Sequence, residues 1–293
     1  MLKIIIKIIQ RLVIRFGYDI KRLKRLSYDT DNYIRLFGEE SVKSRNFYNI
    51  SVGAYKGFGG GINHPCWTNV DVDKAWKGDS YFPNGREYDP DKDIAHDLLS
   101  MNPLPIGSAT AELVHSRFTV DRLTDDAAQF FFKEVFRILK PGGIFRIIST
   151  DLDLDYRAYL NKDKDYFFWL NKEISIEQMF LFHVVTQLST IYYDKNTNNI
   201  TDEELRELFK RMTYEDALDD CVSKCSLEIH KNNRYDHFNW WNQRKFERML
   251  SNAGFKEYFR SAPGQSSVPV LRNELFFDND HLKVMMYMEA IKN

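Results

Sequence analysis

Glu134-Val135-Phe136-Arg137-Ile138-Leu139-Lys140-Pro141-Gly142-Gly143-Ile144-Phe145-Arg146-Ile147-Ile148-Ser149-Thr150-Asp151 carries a complete change of secondary structure. Just upstream, Thr124-Asp125-Asp126 reads as a helix N-cap with acids in the first turn, and Phe130, Phe131, Val135, Ile138 and Leu139 recur at helical spacing. The helix is predicted to stop across Leu139–Gly143, because proline disfavours helix at the residue before it and glycine permits a sharp reversal. Ile144 to Ser149 then predicts a buried strand that delivers Asp151 to its end.

The segments before it have the same rhythm. Asn46 to Ala54 predicts a short buried strand running into Ser51-Val52-Gly53, followed by a loop with Gly57, Gly59, Gly60 and Gly61. Glycine at a strand end lets the backbone approach a ligand closely. His64 to Asp71 predicts a second strand that places an acid at its end, about 20 residues on, where a doubly wound nucleotide fold sets the carboxylate that accepts hydrogen bonds from a ribose. Asp93 to Leu98 and Ala111 to Ser116 predict a third and a fourth strand, the third ending near Asp97. Alternating strand and helix of this kind predicts an α/β fold with a mostly parallel sheet and helices on both faces.

Three motifs together resemble one family. Glu134, Arg137 and Ile138-Leu139-Lys140-Pro141-Gly142-Gly143 look like the "E..R.LKPGG" signature of S-adenosylmethionine (AdoMet)-dependent methyltransferases of the broad type 11 group. Asn49-Ile50-Ser51-Val52-Gly53 with Trp67-Thr68-Asn69-Val70-Asp71 resembles the opening "NIG.G…GW.N.D" of a branch associated with polysaccharide biosynthesis. His237, Phe246, Leu250, Ala253, Gly254 and Phe255 resemble that branch's "H…L..L..AGF" helix, and Leu282 to Ala290 its final strand. The likeness spans residues 46–151 and 235–293. It implies a Rossmann-like class I methyltransferase sheet closed by a C-terminal antiparallel hairpin, an ending not expected of a nicotinamide-dependent oxidoreductase.

The resemblance also implies a cofactor, AdoMet, and a set of residues to hold it. Gly53 would line the methionine end with Ser51 beside it, Asp71 would hold the ribose hydroxyls, Asp97 and Leu98 would flank the adenine, and Ser116 would face the sulfonium. A carboxylate pairs well with vicinal hydroxyls, and a cationic methyl donor disfavours a buried positive neighbour. Two positions depart from the pattern: Ser51 replaces the first glycine of the loop, and Phe118-Thr119-Val120-Asp121-Arg122 replaces a "H.LEH" stretch, putting Arg122 where relatives carry histidine. Transfer to a hydroxyl needs a base, for which His237, Asp151 (with Asp153) and His183 are the candidates. Asp236-His237 with Trp240 and Trp241 suits a sugar, whose faces stack on indole.

Residues 156–233 are strongly aromatic, with Phe167, Phe168, Trp169, Phe180, Phe182, Tyr192 and Tyr193, and helix starts are predicted at Thr201, as a capping box, and at Thr213. They read as a helical cap inserted into a domain formed by 27–155 and 234–293, over the strand ends where ligands bind. Packing of the cap's own core, or contact with a second copy of the chain, are alternative uses for these rings.

Residues 1–26 carry eight Lys/Arg against one acid, and Lys3, Lys7, Arg11 and Arg15 fall every fourth position. At about 100° per residue this makes a cationic stripe along an amphipathic helix. Its apolar runs are too short to span a bilayer and no cleavage site follows. The choice is open between an in-plane helix on an anionic inner leaflet and a helix docked on protein.

The chain has formal charge -1 and 41 Lys/Arg to 42 Asp/Glu, so the body beyond that segment is acidic, which argues against nucleic acid as substrate. Three cysteines, Cys66, Cys221 and Cys225, suit a reducing cytoplasm, and no metal is predicted. The first expectation is therefore an AdoMet-dependent methyltransferase that O-methylates a sugar or glycan-linked group in surface polysaccharide biosynthesis, with a small-molecule or glycan acceptor as partner; the alternative is a catalytically degenerate methyltransferase-fold binding or scaffolding protein.

Overall fold

The computed structural model describes residues 30–52, 61–62, 64–72, 89–191, 198–274, 276–278 and 284–293. The amphipathic segment 1–26, Gly53 with Gly57, Gly59 and Gly60, Tyr192 and Tyr193 lie outside the described residues.

The helix that opens the deciding stretch is α2, Asp125–Ile138, preceded in the described chain by α1, Thr30–Lys43. Thr124 accepts the Ala127 N–H as N-cap, two acids occupy the first turn and Arg137 the last, which suits the helix dipole at both ends. Ala127, Ala128, Phe131, Phe132, Val135 and Ile138 form its buried face. The helix gives way to strand sooner than predicted: β5 runs Leu139–Thr150. Leu139 already pairs with Ala111, while the Gly142 N–H donates to Lys292 O and the Lys292 N–H to Gly143 O. Gly143 is required there, because a Cβ would lie 2.8 Å from the Lys140 carbonyl oxygen.

The remaining strands are β1 Phe47–Ile50, β2 Trp67–Asp71, β3 Ile94–Ala95, β4 Ala111–Arg117, β6 Glu257–Ser261 and β7 Met285–Ile291. They form one seven-stranded sheet in the order β3-β2-β1-β4-β5-β7-β6. The first five are parallel, and β7 is antiparallel to both β5 and β6. The predicted Rossmann-like sheet with a C-terminal antiparallel hairpin is the observed one. The third strand is shorter than predicted: Asp93 turns its carboxylate to the Asn69 and Asp89 N–H groups at 3.2 and 3.0 Å, and Asp97 caps a 3-10 turn, Leu98–Ser100.

One face of the sheet is covered by α2 and by α8, Gln243–Ala253. Phe246, Leu250, Ala253 and Phe255 are buried there, and Gly254 ends α8 in the left-handed conformation. The other face packs Tyr33, Phe47, Trp67, Leu113, Leu271 and Phe277, with the Trp67 indole N–H donating to the Tyr33 hydroxyl.

After β5 come α3 Leu152–Leu160, α4 Ile176–Val184, α5 Asp202–Arg211, α6 Tyr214–Ser223 and α7 Leu227–Asn232. The capping box at Thr201 and the N-cap at Thr213 are present as predicted. These helices share a core of their own that includes Phe167, Met179, Phe180, Leu205, Leu218 and Cys221. The expected division at 155/156 falls inside α3.

Candidate functional site

Parallel strands deliver their carboxyl ends to one edge of the sheet, which is where this architecture binds ligands. A crevice opens there, with about 360 Å³ of non-atom space counting its mouth. Ser51, Val52, Asp71, Asp97, Leu98 and Arg122 lie on its walls together with Val70, His96, Leu99, Leu123, His230 and Arg234. Four residues singled out from the sequence, Ser51, Asp71, Asp97 and Leu98, are thus brought together; Gly53 lies outside the described residues.

Asp71 is the last residue of β2 and is buried, its Oδ1 accepting the Val72 N–H at 2.7 Å while its carbonyl accepts the His96 N–H. Ser51 does more than replace a glycine. Its hydroxyl donates to Asn49 Oδ1 at 3.0 Å and accepts the Arg117 N–H at 3.3 Å, tying the end of β1 to β4. Asp97 receives Arg234 in a two-point pair, at 2.9 and 3.0 Å, across the crevice from the segment after α7. Burial pushes the Asp97 carboxyl up, but the Arg234 hydrogen bond and charge and the Leu99 N–H outweigh it and hold it below the usual range. His230 Nε2 donates to the Arg122 carbonyl at 2.7 Å, and burial lowers the imidazole to about 4 against that bond's opposing pull.

Ser116 is a correction. The resemblance had it facing the sulfonium, but Ser116 sits inside β4, which continues to Arg117, and is fully buried and outside the crevice lining. Asp151 is also elsewhere: fully buried, it caps α3 by accepting the Leu154 N–H and pairs with Arg260 of β6. Burial raises its carboxyl against the pull of Arg260. It lies on neither cavity and its contacts are those of a structural cap.

A second cavity adjoins the first, because Val52 and Arg122 line both. It has about 700 Å³ of non-atom space on the same measure, walled by the rings of Phe118, Trp169, Phe182 and Tyr235. His183 and His237 both face it, with ring centroids 5.2 Å apart. Each has a carboxylate behind it. His183 Nδ1 is 2.9 Å from Asp155 Oδ2, whose other oxygen accepts the Tyr166 hydroxyl at 2.7 Å. His237 Nδ1 is 3.9 Å from Asp121 Oδ2. Asp121 is fully buried, and burial raises its carboxyl while Arg122, 3.5 Å away, pulls it down.

The tryptophans expected to stack on a sugar are core residues. Trp240 is 4% and Trp241 0% exposed, the Trp240 indole donates to Asp219, and Lys245 Nζ lies 4.1 Å from the Trp240 ring centroid. Sequence reasoning missed Asp121, Asp155, His230 and Arg234, which sit far along the chain from their partners and carry no local pattern. Asp121 and Arg122 were visible only as a departure from the family motif. Among the described residues no group of three His, Cys, Asp or Glu is placed to hold a metal ion, and no helix is long and apolar enough to cross a membrane.

No family model matches the chain, and no curated protein matches it by sequence. Solved structures do resemble it. The AdoMet-dependent methyltransferase SibL is 12% identical with a TM-score of 0.37, over 90% of this chain and 55% of that one. Human N-acetylserotonin methyltransferase, solved with AdoMet, is 12% identical with a TM-score of 0.36, over 91% and 55%. An AdoMet-dependent methyltransferase of Methanosarcina mazei is 9% identical with a TM-score of 0.36, over 84% and 92%. The chain spans about half the length of the first two, and at such scores the likenesses add no weight to the reading of the crevice.

Proposed function

We propose that the chain is an AdoMet-dependent methyltransferase acting on a hydroxyl. The observation that carries the reading is the convergence of Asp71, Asp97 and Leu98 with Val52 at the carboxyl ends of β1 to β3. The crevice suits an adenosyl group: Val70, Leu98, Leu99 and Leu123 offer apolar faces to a flat base, and Asp71 offers carboxylate oxygen to ribose hydroxyls. When bound, AdoMet supplies an electrophilic methyl group on a sulfonium. The chain's own residues do the rest. They align the acceptor, exclude water and take a proton, and the presence of His237 on the wall of the adjoining cavity supports it as the group that takes that proton.

Calorimetric titration with S-adenosylhomocysteine and AdoMet, with NAD as control, tests this. Binding of the two sulfur nucleosides and not of NAD is expected, and no binding at millimolar ligand refutes it. A second reading, a degenerate binding protein on this fold, is favoured by Arg122, a cation on the donor crevice, and by the Arg234–Asp97 pair that crosses it. It predicts nucleoside binding with no turnover when a cell extract supplies acceptors. A glycan acceptor and contact of residues 1–26 with an inner leaflet remain proposals drawn from the sequence. The first has lost its tryptophan platform, and the second is tested by liposome co-sedimentation.

A further inference from the structure

The second cavity is chemically lopsided. Its walls are aromatic and aliphatic, from Phe118, Trp169, Phe182, Val284 and Met285, and its polar side chains among the described residues are Arg122, His183, Tyr235 and His237. No carboxylate or amide lines it among the described residues. A sugar buried here would leave several hydroxyls short of partners, at about 1–3 kcal/mol each. A flat ring with one or two acidic hydroxyls loses far less and gains ring contacts on both faces.

Asp121 adds a second, independent observation. It is fully buried, and its carboxylate accepts no hydrogen bond from another residue; its own backbone N–H pulls the carboxyl down against burial. The charged or titratable groups facing it are Arg122 Nη1 at 3.5 Å and His237 Nδ1 at 3.9 Å, with His183 beyond His237. An ionised buried carboxylate without full pairing is costly, so an imidazolium at His237 improves its surroundings. At 3.9 Å the pair is an ionic contact rather than a hydrogen bond. His183 is held in place by Asp155 and faces the same space.

We propose that this cavity binds a planar aromatic hydroxyl compound, a phenol or catechol, and that His237 takes the hydroxyl proton with Asp121 as the residue that positions it. The inference rests on the methyl-transfer reading and names its acceptor class. The O–H bond breaks, the proton goes to His237 and the electron pair stays on oxygen. That pair forms the O–CH3 bond as the S–CH3 bond breaks and its electrons leave with sulfur as a thioether; the proton then passes from His237 to water. A phenolate meeting a sulfonium cancels charge, a change favoured where water is excluded. Arg122, on both cavities, stabilises the phenolate before transfer.

The test uses full-length protein titrated with 4-nitrocatechol, whose absorbance reports ionisation, and with methyl glucoside, each with and without saturating S-adenosylhomocysteine. Nitrocatechol is expected to bind and to shift towards its anion spectrum, and methyl glucoside not to displace it. With AdoMet, Asp121→Asn is expected to lower kcat for nitrocatechol about 100-fold with KM within about twofold, and His237→Gln to do at least as much. Both variants are expected to keep wild-type affinity for S-adenosylhomocysteine, which shows that they fold. Binding of the glucoside in place of nitrocatechol, or wild-type kcat in Asp121→Asn, overturns the inference. Failure of S-adenosylhomocysteine to bind overturns the methyl-transfer reading instead, while nitrocatechol binding to the protein alone still decides what the cavity takes.

Discussion

His230 ties acid stability to the site. Its imidazole is 2% exposed, lines the donor crevice and donates from Nε2 to the Arg122 carbonyl. Burial lowers it from 6.5 to about 4 in the folded protein. Between those two values the unfolded chain binds a proton that the folded chain refuses, so stability falls as pH falls through this window. At about 1.4 kcal/mol per pH unit the full loss is about 3 kcal/mol, of which about 2.5 kcal/mol is incurred by pH 4.5. For a chain of 293 residues this corresponds to about 4 °C in Tm. Other groups titrate in the same range, so the quantity to measure is a difference. Urea unfolding of wild type and His230→Gln is followed at pH 7.5 and pH 4.5; glutamine keeps a donor for the Arg122 carbonyl but does not titrate. The variant is expected to lose about 2.5 kcal/mol less than wild type over this interval. Equal losses would falsify the claim that His230 is held neutral by burial.

Other perturbations probe the rest of the molecule. Asp71→Asn removes the charge from the carboxylate at the end of β2 and is expected to weaken S-adenosylhomocysteine by about 1.5–3 kcal/mol, roughly 10- to 150-fold, in calorimetry without changing Tm appreciably. Arg146 is fully buried between Asp278 at 2.5 Å and Glu289 at 2.7 Å; Glu289→Gln is expected to cost about 3–5 kcal/mol in urea unfolding, because it leaves a buried cation half-paired. Gly254 has φ +112° with the Phe136 ring 3.1 Å from where a Cβ would stand, so Gly254→Ala is expected to destabilise by about 1–3 kcal/mol in the same assay. Deleting residues 1–26 is expected to abolish co-sedimentation with anionic liposomes, and equal sedimentation of both proteins refutes the membrane reading.

The sheet was legible because its signals are local. The N-cap at Thr124, the proline and paired glycines at 141–143 and the apolar run after them fix helix, reversal and strand without reference to distant residues. Asp71 was legible for the same reason, since a strand's end follows from its length; Asp97 reaches the crevice although β3 stops two residues before it, as the cap of the turn that follows. Ser116 was misplaced because β4 runs on past it to Arg117, which keeps its side chain within the sheet and away from the mouth. Trp240 and Trp241 look in sequence like a ligand platform; only packing shows that both rings are buried with Lys245 Nζ over them and that Asp219 accepts the Trp240 indole N–H. Asp121 and Asp155 were illegible in principle, because their meaning comes from histidines 116 and 28 positions away.

One short stretch of the chain serves both cavities. Residues 230–237 supply His230 and Arg234 to the donor crevice and Tyr235 and His237 to the second cavity. The stretch is fastened at its far end, where the Phe238 and Asn239 N–H groups both donate to the Asp121 carbonyl and the Asn239 amide reaches Leu123 and Asp125. It is fastened again where His237 exchanges hydrogen bonds with Thr186 through its N–H and its carbonyl. Its one ionic hold on the donor side, among the described residues, is Arg234 on Asp97. That pair is partly exposed and exchangeable, unlike the buried backbone bonds at the other end. A ligand entering between Leu98 and Asp71 meets this pair on the crevice wall, so the Arg234–Asp97 contact is the hold on the stretch with which such a ligand would compete.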